Sequence, residues 1–326
     1  MKKLLSLMLA FLMVISLAAC AGKKDQPESE SQPASEPGSE EITETETEPV
    51  SESDTEPSSL TVYMIAGPTG IGAANMMAKA EAGEYDIDYE FTIATAPDEV
   101  VGKIVKGEAD IAAVPTNLAS TLYAKTEGKV TILGVNTLGV LSFLEKEQTV
   151  NSVADLKGKT IYSTGQGANP QYILEYILKS NGIDPEKDVT INYKTENTEL
   201  ATVFAEDPTA VVMAPQPVAT SIILNTGAVK VLDVNEEWEK VGGDSKLMMG
   251  CVIVRNEVLE SDPDAVEQFM EDYEESIDAA NEDPETTGRY CEEYGIVAKA
   301  ALAQKAIPDC HIVWITGDEM KTGLSE

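Results

Sequence analysis

Four short stretches of this chain carry the residue types that grip a small molecule. They read Gly67-Pro68-Thr69-Gly70-Ile71-Gly72, Pro115-Thr116-Asn117, Ser163-Thr164-Gly165-Gln166-Gly167-Ala168-Asn169 and Ala214-Pro215-Gln216-Pro217. Glycine lets a backbone approach a ligand closely, while hydroxyls, amides and the free N–H groups of a helix start supply directional hydrogen bonds. The candidate ligand-binding residues are therefore Thr69, Gly70, Thr116 and Asn117 on one side, with Thr164, Gln166, Asn169 and Gln216 on the other. Caps and turns use the same residue types, and Thr116 and Asn117 also suit that plainer role.

The chemistry missing from these stretches narrows the function. Gly67 and Gly72 have the spacing of a phosphate loop, but Ala73-Ala74 stands where Lys and Ser or Thr must reach phosphate and Mg²⁺. Gly70-x-Gly72 and Gly165-x-Gly167 each lack the third glycine of a dinucleotide fingerprint, with Asn75 and Pro170 in its place. There is no Gly-x-Ser-x-Gly and no Ser-x-x-Lys. The single histidine, His311, lies far along the chain, and no calcium-loop or zinc spacing occurs. No metal, cofactor or catalytic residue is expected. Only Arg255 and Arg289 exist, neither in the four turns, so those loops offer no guanidinium clamp, although helix N-termini still suit an anion. Tyr63, Tyr162, Tyr172 and Trp238 could stack on a planar ligand or pack in the core. A neutral, zwitterionic or heteroaromatic solute fits these loops best. The formal net charge of −34 excludes nucleic acid and anionic lipid surfaces as partners.

The elements that must position these turns alternate. β-branched runs over 60–66, 87–93, 111–114, 131–135, 160–163, 189–193, 210–213 and 228–233 read as strands, and 3.6-residue spacing predicts helices over 73–82, 98–106, 170–179 and 198–205. This is the pattern of an α/β protein with mainly parallel sheets flanked by helices. A repeat doubles it. Ala-Asp-Ile-Ala-Ala-Val-Pro-Thr-Asn-Leu-Ala-Ser-Thr at 109–121 lines up with Thr-Ala-Val-Val-Met-Ala-Pro-Gln-Pro-Val-Ala-Thr-Ser at 209–221, with Pro115 over Pro215. Two similar lobes are expected, lobe I from 60–139 plus 249–326 and lobe II from 140–248. A strand over 249–255 and helices over 263–281, 284–294 and 299–307 return across lobe I. Two crossings, near 137–144 and 245–251, would form a hinge.

The N-terminus carries separate information. Lys2 and Lys3 precede an uncharged apolar run over 4–19, the pattern of a signal peptide over 1–20. Leu17-Ala18-Ala19-Cys20 resembles the lipobox of bacterial lipoproteins, which implies acylation of Cys20 and an extracytoplasmic position on the cell membrane. Residues 21–59 hold Ser, Pro, Glu and Thr with almost nothing apolar, and read as a disordered acidic linker. Cys251, Cys291 and Cys310 are left over, so one disulfide plus a thiol and three free thiols are both open.

Several of these segments together carry a family likeness. Residues 67–72, Gly107-Glu-Ala-Asp-Ile-Ala-Ala-Val-Pro-Thr-Asn117, Asp155-Leu-Lys-Gly-Lys-Thr160, residues 165–170 and Met249-Gly-Cys251 resemble an ABC-transporter substrate-binding lipoprotein. The branch is the one for nitrate, sulfonate, taurine and thiamine-precursor uptake, and the likeness spans 60–326. It implies a two-lobed periplasmic-binding-protein-like clamshell of type II. It also implies a monomer that captures a small organic solute between its lobes and delivers it to a permease and ATPase. A solute-binding sensor subunit is the alternative, followed by an extracellular enzyme on the same fold. Residues 317–326 read as the start of a helix, where relatives continue with a further one.

Overall fold

The computed structural model describes residues 58–325, so the signal segment, Cys20 and nearly all of the acidic linker lie outside the described residues. Eleven strands form within them. They are β1 (Ser59–Ile65), β2 (Asp88–Ala94), β3 (Ile111–Pro115), β4 (Val130–Thr137), β5 (Leu141–Glu145), β6 (Thr160–Ser163), β7 (Thr190–Tyr193), β8 (Val211–Pro215), β9 (Val229–Asp233), β10 (Gly250–Arg255) and β11 (Ile312–Ile315). A six-stranded sheet has the order β11-β4-β10-β3-β1-β2, and a five-stranded sheet the order β7-β6-β8-β5-β9.

Both sheets are mixed: most strands of each run the same way, as expected, and the sequence pattern does not show the antiparallel ones. β1 pairs parallel with β2 and β3, and β6 with β7 and β8. The strand that arrives from the other sheet runs the opposite way: β10 lies antiparallel between β3 and β4, and β5 lies antiparallel between β8 and β9. A chain that enters a sheet at the carboxyl ends of its parallel strands can only run back along them. β11 adds a further antiparallel edge beside β4.

The repeat read from Pro115 and Pro215 is a repeat of topology. Strand for strand, β2-β1-β3-β10-β4 matches β7-β6-β8-β5-β9. Pro115 ends β3 opposite Gly250, and Pro215 ends β8 opposite Leu141.

Helices cover both faces of each sheet. Pro97–Lys106 illustrates the local logic: Pro97 occupies the first turn, Asp98 and Glu99 face the positive helix end, Val100, Val101 and Ile104 are buried, and Gly107 closes the helix at φ 74°. The longest helix, Pro263–Glu282, buries Phe269, Tyr273 and Ile277 on the first sheet together with Ile71 and Met76. Burying each such large side chain stabilises the fold by roughly 1.5–3 kcal/mol. On the second sheet, Asn169–Ser180 packs with Val234–Val241 on one face, while Asn197–Glu206 and Val218–Thr226 cover the other.

The Asp155-Leu-Lys-Gly-Lys159 segment turns out to be structural. Asp155 accepts from Asn151 N and Ser152 N and closes a capping box. Lys159 Nζ lies 2.7 Å from the Glu145 carboxylate, which is 2% exposed and also takes Thr149 N and Val150 N. Burial alone would raise the Glu145 pKa, but these donors outweigh it and hold the carboxyl below the usual range. Cys251, Cys291 and Cys310 are buried free thiols, and burial pushes the first two up to about 12.

Candidate functional site

The crossings fix which edges of the sheets face each other. β4 ends at Thr137 and β5 begins at Leu141 beside Pro215, so residues 138–140 are all that separates the two carboxyl edges. Four peptide steps reach at most roughly 14 Å. The chain returns through helix Val234–Val241 and residues 242–249 to Gly250, beside Pro115. Ligands of open α/β sheets bind beyond the carboxyl ends of the strands. Here those ends oppose each other, and the four Gly-, Thr- and amide-rich turns stand there.

Both crossings are pinned. Leu138 N donates to His311 O at 3.1 Å, Gly139 N to Asn235 Oδ1 at 3.2 Å, and Gln216 N to Val140 O at 2.9 Å. Met249 N donates to Thr137 O at 3.0 Å. Asn136 Nδ2 donates to Thr69 O at 3.0 Å and to the fully buried Tyr273 hydroxyl at 2.9 Å. Gly250 sits where these groups converge: a Cβ there would meet Thr69 Cγ2 at 2.6 Å and Asn136 Oδ1 at 2.7 Å.

The eight candidate residues divide by what they already hold. Thr116 donates its N–H to Met249 O and its hydroxyl to Met248 O, both at 3.0 Å. Thr69 turns its hydroxyl back to Ile65 O, and Gly70 is buried so closely that a Cβ would meet Ile65 O at 2.6 Å. Thr164 donates to Asn197 Oδ1 at 2.7 Å. Gln216, 2% exposed, accepts from Thr220 Oγ1 at 2.8 Å and donates to Asp309 Oδ2 at 3.4 Å. Asn117 and Gln166 are exposed, Asn169 is half-buried, and no side-chain hydrogen bond within the described residues occupies any of these three amides.

A cleft of about 1370 Å³ brings three of the eight together: Thr116 and Asn117 from the first sheet's side and Asn169 from the second's. Thr69, Gly70, Thr164, Gln166 and Gln216 do not line it. Its other walls include Ser120 and Tyr123, Val130 to Ile132 of β4, Ile173, Tyr176 and Trp238, the return crossing from Asp244 to Met249, and Met320, Lys321 and Leu324 of the helix Gly317–Ser325. Tyr176 and Trp238 stack with ring centroids 4.7 Å apart, and Trp238 Nε1 donates to Ser245 Oγ at 3.2 Å. Of the four aromatics expected near a ligand, Trp238 alone lines the cleft. Tyr63 is buried in the first sheet's core, Tyr162 packs on that of the second, and Tyr172 is exposed on the outside of its helix. Tyr176 escaped sequence reasoning, yet Asn169, Ile173 and Tyr176 stand at i, i+4 and i+7 and so share one helix face. The cleft contains no arginine, and Asp244, Lys246 and Lys321 are its charged groups. Among the described residues no cluster of three His, Cys, Asp or Glu could hold a metal ion, and no helix is long and apolar enough to cross a membrane.

Residues 83–287 match the family model described as NMT1/THI5 like. The chain belongs to the NMT1/THI5-like family. Solved structures share its architecture. An ABC transporter protein from Parabacteroides distasonis superposes with a TM-score of 0.67 at 21% identity, covering 82% of this chain and 89% of that one. The periplasmic aliphatic sulphonate binding protein SsuA from Escherichia coli gives 0.64 at 12% identity, covering 82% and 84%. The periplasmic nitrate-binding protein NrtA from Synechocystis PCC 6803 gives 0.54 at 14%, covering 81% and 75%. At these identities the likeness establishes the fold, a periplasmic-binding-protein-like α/β clamshell with two mixed sheets. Curated relatives match over shorter stretches. A Brucella abortus protein is 24% identical over 185 residues, 57% of this chain and 56% of its own length, and YtlA of Bacillus subtilis is 25% identical over 142 residues, 42% of each. The chain thus spans about half the length of the curated relatives it matches. This member of the NMT1/THI5-like family keeps the doubled topology and fills its cleft with amides, hydroxyls, aromatics and methionines.

Proposed function

We propose that this protein is the solute-binding component of an ABC importer, working as a monomer on the extracytoplasmic face of the cell membrane. The observation that carries the reading is the cleft in which Asn117 and Asn169, their amides free, belong to opposite sheets between which the chain crosses twice. A solute that touches both lobes binds the closed form more tightly, and that difference in affinity is what moves a hinge at the crossings. The ligand class is a small neutral, zwitterionic or heteroaromatic organic solute. Support comes from the absence of arginine in the cleft and from the stacked Tyr176 and Trp238. Asn117 and Asn169 supply directional bonds. Thr69, Gly70, Thr116, Thr164 and Gln216 position the turns, and Gln166 stands at the rim of its loop.

The lipobox-like Leu17-Ala18-Ala19-Cys20 supports tethering through acylated Cys20, with the acidic segment as spacer. Such an anchor keeps the clamshell at high effective concentration near a permease and its ATPase. Cys20→Ser is expected to move the protein from the membrane to the soluble fraction on cell fractionation.

A thermal-shift screen across pyrimidines, flavins, amino acids, sulfonates and nitrate tests the binding role. A ligand at 100 times its dissociation constant adds about 2.7 kcal/mol of stability, enough to raise the melting temperature by several degrees. Turnover of any hit by the purified protein would overthrow the reading.

A further inference from the structure

β11 has no counterpart in the second sheet, and the residues that lead into it reach across to that sheet. Asp309 Oδ1 lies 2.8 Å from Lys230 Nζ on β9, and Asp309 Oδ2 accepts from Gln216 Nε2 at 3.4 Å. Lys230 also lies 3.2 Å from Asp233 Oδ2, while Asp233 Oδ1 caps helix Val234–Val241 through Asn235 N at 2.9 Å. Two residues on, His311 adopts a left-handed φ of 44°. Its Nδ1 meets Gly139 O in the first crossing, and its Nε2 stands 3.9 Å from Asp233 Oδ2. Asp309 and His311 thus carry the side-chain contacts that reach β9, the β8 turn and the first crossing, while Gly139 N to Asn235 Oδ1, Thr116 Oγ1 to Met248 O and the Lys246–Glu319 ion pair join the lobes elsewhere along the crossings.

We propose that Asp309 and Lys230 form an interlock that fastens the two lobes beside their crossings and limits how far they swing in the ligand-free protein. The pair suits that role for three reasons. Asp309 lies just ahead of β11, the strand without a counterpart in the second sheet. The pair lies next to residues 138–140, close to the pivot, where a single contact restrains rotation without blocking the cleft. Its side chains are 32% and 30% exposed, so water and salt reach the bond and it can open and reform. Through Gln216 the same carboxylate also holds the β8 turn beside the first crossing. The interlock acts whatever the solute is, and it stands or falls apart from the transport reading.

Hydrogen exchange on the ligand-free full chain tests it. Lys230→Met and Asp309→Asn are each expected to speed amide exchange over residues 138–142 and 214–220 at least threefold, leaving helix Asn169–Ser180 unchanged. Lys230→Arg, which keeps the charge, should restore the original rates to within twofold. Should Asp309→Asn fail to fold, Lys230→Met and Lys230→Arg carry the test alone. The proposal is overturned if exchange in the two segments is unaltered, if it rises equally in both lobes, or if Lys230→Arg behaves like Lys230→Met.

Discussion

The two sheets share a strand order, yet the turns at their carboxyl edges are used differently. On the first sheet the protein itself consumes the turn groups: Thr69 is bound to the Asn136–Tyr273 pair through its carbonyl, Gly70 is closed in, and Thr116 is spent on Met248 and Met249. On the second sheet, Asn169 and Gln166 keep free amides at the start of Asn169–Ser180, beside the Tyr176–Trp238 stack. The comparison teaches that a repeat in topology is not a repeat in role. The first sheet's turns hold the return crossing through Thr116 and leave only Asn117 free, whereas on the second sheet Thr164 and Gln216 are occupied and Asn169 and Gln166 are free.

The largest effect expected from breaking this contrast lies at Tyr273. Its ring is buried, stacks on Phe269 with centroids 5.6 Å apart and receives the Asn136 amide. Tyr273→Ala should cost about 3–5 kcal/mol in urea unfolding. A loss below about 1 kcal/mol would mean that the first sheet's turns are not held as described.

On the second sheet the comparable buried group is Glu145. Removing one partner of a buried pair leaves the other uncompensated, but Lys159 is partly exposed, so Glu145→Gln should cost about 2 kcal/mol. The acid limb provides the sign. The folded pKa of Glu145 is lowered, so its contribution is fully present above the ordinary carboxylate value near ~4.3 and is lost as pH falls through the folded value. Glu145→Gln should therefore flatten the fall of stability below about pH 4.

Smaller effects separate ligand contact from fold. Asn117→Ala and Asn169→Ala should each weaken binding of a screened solute about three- to tenfold, the worth of one neutral hydrogen bond, with unfolding changed by under about 0.5 kcal/mol. Gln166→Ala should change affinity least, because Gln166 does not line the cleft. Titration calorimetry ranks the three, and an effect at Gln166 larger than at Asn169 would move the site toward the loop.

How much of this could be read from the residues depended on the range of the interactions. β-branched runs marked nine strands, and the Pro115–Pro215 correspondence exposed the doubled order. β5 was missed because all five of its residues are buried, so no alternation marks it within what reads as a crossing. β11, at four residues, lies between two helical patterns. The mixed sheets follow from where the crossings enter, which no local pattern encodes. Residue type marked turns that stand at the carboxyl ends of strands, but the fate of each donor there depended on distant partners. Thr116 is occupied by a carbonyl 132 positions away and Gln216 by a carboxylate 93 positions away. Asn117 and Asn169 remain available because no such partner reaches them.

The central claim is that one solute is held by both sheets at once. Hydrogen exchange of the protein with and without a solute found by thermal shift tests it most directly. The account predicts protection that appears together in residues 116–123 and 169–176, at the same ligand concentration, while the outer strands β2 and β7 stay unchanged. Protection confined to one of the two segments, or located away from both, would contradict it.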